Sequence, residues 1–189
     1  MTTVYFIRHA QADYSVQDDL ARPLTEKGMS DRVIVTDFLR SRDIAAVYSS
    51  PYKRAVDTVS HFAEHAGLPV ITVNDFRERK IGNAWIDNYL NFCEKQWADF
   101  SYKLEGGESI AEVQARNIAV LNDVLSAHKN ENVAIGTHGT ALSVIINYYD
   151  NSYGFEDCMA MLYIMPWVVK MTFKENMCIE IEEINILKS

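Results

Sequence analysis

The chain has 189 residues, of which 48% are apolar and 23% are charged, and its formal charge at pH 7 is −8. This balance is typical of a folded globular protein and excludes the disordered and fibrous classes. The acidic charge also argues against broad nucleic-acid binding, because a phosphate backbone requires a basic protein surface. We therefore expect no nucleic-acid partner.

Two further features indicate a cytoplasmic protein with no membrane partner. No uncharged apolar run is long enough to cross a bilayer, and the N-terminus leads into a strand-like segment without the regions of a signal peptide. The cysteines Cys93, Cys158 and Cys178 are odd in number and far apart, with no CxxC pair. This pattern favours reduced thiols over a disulfide framework or a zinc ribbon.

Strand-like and helix-like segments alternate along most of the chain. The predicted strands cover residues 3–7, 45–48, 68–73 and 133–137, and a hairpin is predicted from 168–173 and 177–184. The predicted helices are 25–40, capped by Thr25; 50–66, with Ser50 as N-cap and Pro51 in the first position; one behind the capping box of Ser109 and Glu112; and 141–149. The alternation predicts a three-layer α/β/α sandwich with a mostly parallel sheet, and the hairpin adds antiparallel strands at one edge.

The whole chain, residues 1–189, is predicted to be a single domain, because no linker or repeat divides it. Residues 83–105 stand apart and are predicted to form a small helical flap over the sheet. The aromatic residues of this flap are Trp85, Tyr89, Phe92, Trp97, Phe100 and Tyr102. They are open to two interpretations, as packing residues of the flap and as the lining of a pocket.

Polar side chains follow the ends of the predicted parallel strands. Arg8 and His9 follow the first strand, and Arg54 lies in the first turn of the helix after the second. Glu78 follows the third strand, and His138 ends the fourth. Ligands of open α/β sheets bind beyond the carboxyl ends of the strands, so we expect these side chains to converge.

These residue types fit the cleavage of a phosphomonoester. Bidentate arginines match the charge and geometry of phosphate oxygens. A cation in the first turn of a helix is opposed by the helix dipole, so the position of Arg54 is better explained by a phosphate bound at that helix N-terminus. A neutral imidazole, with an ordinary pKa of about 6.5, accepts a phosphoryl group, and a second histidine stabilises that group during transfer. A carboxylic acid protonates the leaving oxygen. This chemistry requires no metal and no cofactor.

The chain resembles the histidine phosphatase superfamily, also called the phosphoglycerate mutase-like family, because it contains six of that family's sequence motifs in the family's order. They are Arg8-His9-Ala10 after the first strand; Leu24-Thr25-Glu26-Lys27-Gly28; Ser50 to Thr58 with Arg54-Ala55; Glu78 to Gly82 followed by Trp85; Gly107-Glu108-Ser109; and His138-Gly139. The resemblance extends over nearly the whole chain.

The resemblance implies that His9 is the nucleophile and forms a phosphohistidine. It also implies that Arg8, Arg54 and His138 hold the phosphoryl group, with the Gly139 amide nearby, and that Glu78 acts first as acid and then as base. Ser15 stands where the mutases carry an asparagine that contacts phosphate, and Ala10-Gln11-Ala12 replaces their Gly-Glu-Ser. The long insertion of the cofactor-dependent mutases is absent. These departures favour a phosphatase that acts on a small phosphorylated substrate.

Alternatives remain at this stage. The protein could be a phosphoglycerate mutase, which would turn 3-phosphoglycerate into 2-phosphoglycerate, or a binding module without catalysis. Glu78 lies in a segment of alternating charge that could be a solvated loop. The HxxEH pattern of His61, Glu64 and His65 occurs in metalloproteases, but a helical wheel places it on a solvated face. The natural substrate and the oligomeric state have no sequence signal.

Overall fold

One mixed sheet lies in the middle of the structure, a computed structural model that describes residues 1–83 and 86–187. The strands are β1 (Thr2–Arg8), β2 (Ile44–Ser49), β3 (Val70–Thr72), β4 (Asn132–Thr137), β5 (Trp167–Lys174) and β6 (Met177–Ile184). The helices are α1 (Glu26–Leu39), α2 (Lys53–Ala66), α3 (Tyr89–Ala98), α4 (Ile110–Ala127), α5 (Gly139–Tyr149) and α6 (Phe155–Ala160). Two short 3-10 turns, Asn74–Phe76 and Met161–Tyr163, complete the elements.

The order of the strands across the sheet is β3-β2-β4-β1-β5-β6. Strands β1 to β4 run parallel, whereas β5 pairs antiparallel with β1 and β6 antiparallel with β5. The predicted mostly parallel sheet with an antiparallel hairpin at one edge is therefore confirmed. The central strand β1 is apolar on both faces because helices cover both sides of the sheet.

Helices cover the sheet in two layers. On one face, Val35 of α1 and Phe62 of α2 pack against Ile7 of β1. On the opposite face, Leu121 of α4 and Ile145 of α5 belong to the larger core, which also contains alternate residues of β1 and β4. The predicted three-layer sandwich is confirmed. Within the described residues, none of these helices is both long and apolar enough to span a membrane.

Two of the three helix caps predicted from the sequence are present in the structure, and the third is not. The Thr25 side chain accepts from the Gly28 N–H, and Ser109 forms a capping box with Glu112, as predicted. The prediction that Ser50 caps α2 is wrong, because the helix begins at Lys53 and has no side-chain cap. The Ser50 hydroxyl instead accepts from the Tyr52 N–H and bonds to His138.

Helix α3 forms the centre of the predicted flap. Phe92 is buried, and the ring of Trp97 packs with those of Phe100 and Tyr153, at centroid distances of 5.7 and 6.4 Å. These aromatic residues thus pack the flap onto the domain. Trp85 lies outside the described residues.

We expect Gly28→Ala to destabilise the fold by about 1–3 kcal/mol, although alanine normally favours a helix over glycine. A Cβ atom at Gly28 would lie 2.2 Å from the carbonyl oxygen of Gln11 and would displace the segment that follows His9. Urea unfolding should show this loss. Gly154→Ala is the matched control, because no atom lies within 4 Å of its new Cβ. Equal stabilities of the two variants would contradict this packing argument.

Candidate active site

The carboxyl ends of the parallel strands β1, β2 and β4 lie side by side at one end of the sheet. The His9 N–H donates to the Thr137 carbonyl oxygen at 3.1 Å, and the Ser50 N–H donates to the Gly136 carbonyl oxygen at 2.9 Å. These bonds extend the parallel pairing by one residue past each strand. As a result, the rings of His9 and His138 lie edge to face, with centroids 5.3 Å apart.

A cleft opens beyond these carboxyl ends. The predicted site residues that line it are Arg8, His9, Arg54, Glu78 and Gly139. His138 is fully buried beside them, with its ring against those of His9 and Tyr52. The structure does not bring Ser15 to the cleft wall, because this exposed residue donates its hydroxyl to the Asp13 carboxylate at 2.6 Å.

The imidazole of His9 is buried and oriented. Its Nδ1 lies 2.7 Å from the Ala10 carbonyl oxygen, which only accepts, so Nδ1 carries the hydrogen. Burial, followed by the positive charges of Arg54 and Arg8, lowers the pKa of His9 well below its ordinary value of 6.5. The ring is therefore neutral at physiological pH, and Nε2 carries the free lone pair.

His138 shares this environment. Its Nε2 bonds to the Ser50 hydroxyl at 2.7 Å, and its buried Nδ1 has no hydrogen-bond partner in the described part of the chain. Burial, and then the charges of Arg54, His9 and Arg8, lower the pKa of His138 well below its ordinary value. Two negative charges on a phosphomonoester would act in the opposite direction and favour the protonated ring.

Arg8 is fixed by the chain segment that follows α6. Its Nη1 donates to the carbonyl oxygens of Met161, Leu162 and Ile164 at 2.7, 3.0 and 3.0 Å. Gly139 lies against the same guanidinium, since a Cβ atom there would be 3.4 Å from Arg8 Nε. The buried Nε–H has no partner among the described residues.

Arg54 reaches the cleft from the first turn of α2. Its Nη1 donates to the Asp19 carbonyl oxygen at 2.6 Å and lies 3.3 Å from the Asp19 carboxylate. The guanidinium also lies over the ring of Tyr52, 5.1 Å from its centroid. Arg54 is therefore held by the loop before α1 and by Tyr52, the residue just before its own helix.

Glu78 lies at the N-terminus of α5. Its carboxylate accepts from the backbone N–H groups of Thr140 at 3.0 Å, Ala141 at 3.2 Å and Arg79 at 2.7 Å. The side chain is half-buried and the following Arg79 is buried, so this segment is not a uniformly solvated loop. The helix N-terminus places the carboxylate next to Gly139, on the cleft wall.

Three residues of this region were not predicted from the sequence. Arg22 and Arg79 are buried and line the cleft. Their neighbours in sequence were the available signals, because Arg22 lies two residues before the motif that begins at Leu24 and Arg79 directly follows Glu78. Ser50 was interpreted as a helix cap, and no local pattern indicates its bond to His138.

The HxxEH pattern on α2 lies away from the cleft. His61 bonds through Nδ1 to the Thr36 hydroxyl at 2.7 Å, and Glu64 and His65 are exposed. In residues 1–83 and 86–187 no group of three or more His, Cys, Asp or Glu side chains could hold a metal ion.

The site and fold agree with comparisons to known proteins. The family model described as "Histidine phosphatase superfamily (branch 1)" matches residues 4–156. The metal-independent phosphoserine phosphatase of Arabidopsis thaliana is 30% identical over 160 residues, covering 77% of this chain and 67% of that protein. The probable phosphoglycerate mutase GpmB of Yersinia pestis is 28% identical over 160 residues, covering 78% and 74%. The structure of Bacillus stearothermophilus YhfR has a TM-score of 0.80 at 22% identity and 94% coverage of both chains.

The chain therefore belongs to the histidine phosphatase superfamily. This confirms the resemblance inferred from the six motifs.

We expect acidification from pH 7 to pH 5 to destabilise the protein in phosphate-free buffer. The unfolded chain protonates His9 and His138 near pH 6.5, whereas the folded protein keeps both neutral to lower pH, so stability is lost as the pH falls. Each histidine contributes up to about 1.4 kcal/mol per pH unit below that value. Urea unfolding at pH 7, 6 and 5 measures this slope.

The variant for this measurement is His9→Asn/His138→Asn, which should show a shallower pH dependence than the wild type. His65→Asn, which changes an exposed histidine, should keep the wild-type slope. A wild-type slope in the double variant would contradict the assignment.

Proposed function

We propose that the protein is a metal-independent phosphomonoesterase in which Nε2 of His9 accepts the phosphoryl group. One observation carries the proposal: the bond from Nδ1 of His9 to the Ala10 carbonyl leaves the Nε2 lone pair free in a cleft lined by Arg8 and Arg54. A neutral, oriented imidazole next to two guanidinium groups has the properties of a phosphoryl acceptor.

In the first half of the reaction, His9 Nε2 attacks phosphorus and the bond from phosphorus to the leaving oxygen breaks. Glu78, acting as the acid, donates a proton to that oxygen, so the product leaves as an alcohol. Its position at the N-terminus of α5 supports this role, because Gly139 of the same turn lies against Arg8. The products are the alcohol and phosphohistidine.

In the second half, water attacks the phosphohistidine. The Glu78 carboxylate takes a proton from the water, the oxygen bonds to phosphorus, and the bond from phosphorus to His9 Nε2 breaks. Inorganic phosphate leaves, and His9 returns to its neutral form. Each turnover thus consumes one ester and one water.

Positive groups of the protein balance the charge of the transferring phosphoryl group. Arg8 and Arg54 supply guanidinium groups, His138 supplies a proton donor once the phosphate raises its pKa, and the Gly139 amide adds the N-terminus of α5. This set makes a metal ion unnecessary for charge neutralisation. The name of the Arabidopsis relative, a metal-independent phosphoserine phosphatase, supports the same chemistry.

Two other functions receive less support. A mutase must return the phosphoryl group to its product, and the GpmB relative is named a probable phosphoglycerate mutase. The sequence after His9 and the missing insertion differ from the cofactor-dependent mutases. A pure binding module requires neither an oriented Nε2 lone pair nor a carboxylate at the leaving-group side.

We also propose that the enzyme works in the cytoplasm on a small phosphorylated substrate, without a nucleic-acid or membrane partner. The three cysteines are free thiols, and two of them are buried. Free thiols are usual in a reducing compartment.

His9→Ala should abolish phosphoryl transfer, because it removes the Nε2 lone pair that attacks phosphorus in the proposed reaction. We expect kcat/KM to fall on the order of 10³-fold or more. Incubation with a ³²P-labelled phosphomonoester and rapid quenching should trap an acid-labile, base-stable adduct on the wild type and none on the variant. His65→Ala, at an exposed position, should keep both activity and label. Normal turnover by His9→Ala contradicts the mechanism.

Glu78→Gln should slow esters with poor leaving groups selectively, because glutamine donates no proton to an alkoxide. For glycerol 3-phosphate we expect kcat/KM to fall about 10²- to 10⁴-fold. For 4-nitrophenyl phosphate, whose leaving group needs little protonation, the loss should be much smaller. The ratio kcat/KM excludes the later water step, so it isolates the acid role. Equal losses on both substrates count against that role.

A further inference from the structure

A second pocket lies outside the catalytic cleft, where the flap helix α3 meets the end of α5 and the start of α6. Its volume is about 440 Å³, and none of the described residues lines both this pocket and the cleft. Four of its lining residues are aromatic: Trp97, Phe100, Tyr153 and Phe155. We therefore call it the aromatic pocket. The proposed phosphatase reaction makes no use of it.

The rings of the aromatic pocket stand at steep angles to one another. Trp97 meets Phe100 edge to face, with centroids 5.7 Å apart and planes at 84°, and it lies 6.4 Å from Tyr153 at 50°. Trp97 and Phe100 are only half-buried, so packing of the flap does not cover them completely. Ring faces carry partial negative charge and attract a cation within about 6 Å of the centroid, tryptophan most strongly. Rings at such angles can contact one cation from several sides.

The charged side chain of the aromatic pocket is an acid without a partner. Glu94 is exposed, and its carboxylate makes no hydrogen bond or ion pair within residues 1–83 and 86–187. No lysine, arginine or histidine of that part of the chain lines the pocket. The Asn147 amide is already bonded, since it accepts from Gln114 Nε2 at 3.1 Å and donates to the Tyr153 carbonyl oxygen at 2.8 Å. The lining therefore carries a negative charge that the protein leaves unbalanced.

Two helices end at the aromatic pocket and add to its negative character. Helix α3 ends at Ala98, and α5 ends at Tyr149, two residues after Asn147. The C-terminus of a helix carries partial negative charge, which favours a cation. The N-terminus of α6 has the opposite sign, but the Asp157 carboxylate offsets it by accepting from the Gly154 N–H at 2.8 Å. The charges around the pocket thus favour a positively charged ligand.

We propose that the aromatic pocket binds a small quaternary ammonium ion. A primary ammonium brings three N–H donors and a guanidinium five, and each donor requires an acceptor when it leaves water. The lining side chains offer few free oxygens, chiefly those of Glu94. A quaternary ammonium has no N–H group, so it presents methyl groups to the ring faces and its charge to Glu94. This binding site goes beyond the proposed function and is separate from phosphoryl transfer.

A matched pair of ligands tests the site in the full-length protein. Choline and 3,3-dimethylbutan-1-ol have nearly the same shape, but the alcohol carries an uncharged carbon in place of the quaternary nitrogen. We expect choline to bind with a Kd on the order of 1 mM and the alcohol to bind about 10-fold more weakly. The measurement is the shift of the Trp97 indole N–H signal in ¹⁵N-labelled protein, which is assigned from its loss in Trp97→Leu. Sodium chloride keeps the ionic strength constant during the titration.

Two variants separate the charge from the rings. Glu94→Gln changes an exposed side chain and should weaken choline binding about 2- to 5-fold, the range of one exposed charge pair, without changing the affinity for the alcohol. Phe155→Leu removes a ring but stays apolar, so it should weaken choline binding more than alcohol binding. Glu64→Gln is the matched control, because it removes the same charge from an exposed position on α2, outside the pocket. It should keep the wild-type affinity for both ligands.

Three results would overturn the inference. One is the absence of a saturable Trp97 shift with choline at about 50 mM, well above the expected Kd. Another is equal affinity for choline and the alcohol, which would describe an apolar pocket without selectivity for a cation. The third is unchanged choline binding in both Glu94→Gln and Phe155→Leu, which would place the ligand elsewhere. No phosphomonoester is present in these titrations, so each result leaves the proposed phosphatase activity untouched.

Discussion

The hydrogen bond from the His9 N–H to the Thr137 carbonyl oxygen fixes the geometry of the whole site. It continues the parallel pairing of β1 and β4 by one residue, so the residues that follow the two strands lie side by side. His9 follows β1 and His138 follows β4. Residues 129 positions apart in sequence thus contact each other through sheet geometry, without any direct local signal. Helix α5 begins at this point, so its N-terminal amides face the same cleft.

The cleft concentrates positive charge in a protein whose formal charge is −8. Arginine is suited to this location because its guanidinium is weakly hydrated and stays charged when buried. The protein balances part of this charge internally through Asp19, and it satisfies Arg8 with carbonyl oxygens, which supply partial charge only. Burial, and then the remaining charge, lower the pKa values of both histidines. In the proposed reaction, the arginines that bind the phosphate thus also help to keep His9 unprotonated, which is the form required of a nucleophile.

The sequence predicted the structural features that depend on residues close together in the chain. Thr25 and the Ser109 capping box were identified correctly, because a cap depends on residues three apart, and the alternation of strands and helices determined the layers. The start of α2 was predicted two to three residues early, since Ser50 forms a long-range bond to His138 that replaces its capping bond.

The sequence motifs identified five candidate site residues: Arg8, His9, Arg54, Glu78 and His138. Ser15 did not join them, because a bond to Asp13 two residues away holds its hydroxyl. The partners of Arg8 lie more than 150 residues away and those of Arg79 lie in α3, 10–17 residues further along the chain, and no periodicity or spacing indicates either set.

The carbonyl oxygens that hold Arg8 lie more than 150 residues further along the chain, at Met161 and beyond. During translation β1, which carries Arg8, leaves the ribosome well before β4 and β5, its two neighbours in the sheet. Such non-local pairing slows folding, because a long loop must close before the contacts that stabilise it can form. Strand β1 therefore lacks both of these partners until β4 and β5 have been synthesised. A nascent chain that ends before these two strands lacks the bond from His9 to Thr137 and the carbonyl oxygens that hold Arg8, so the cleft around these residues forms only after β4 and β5 have been made.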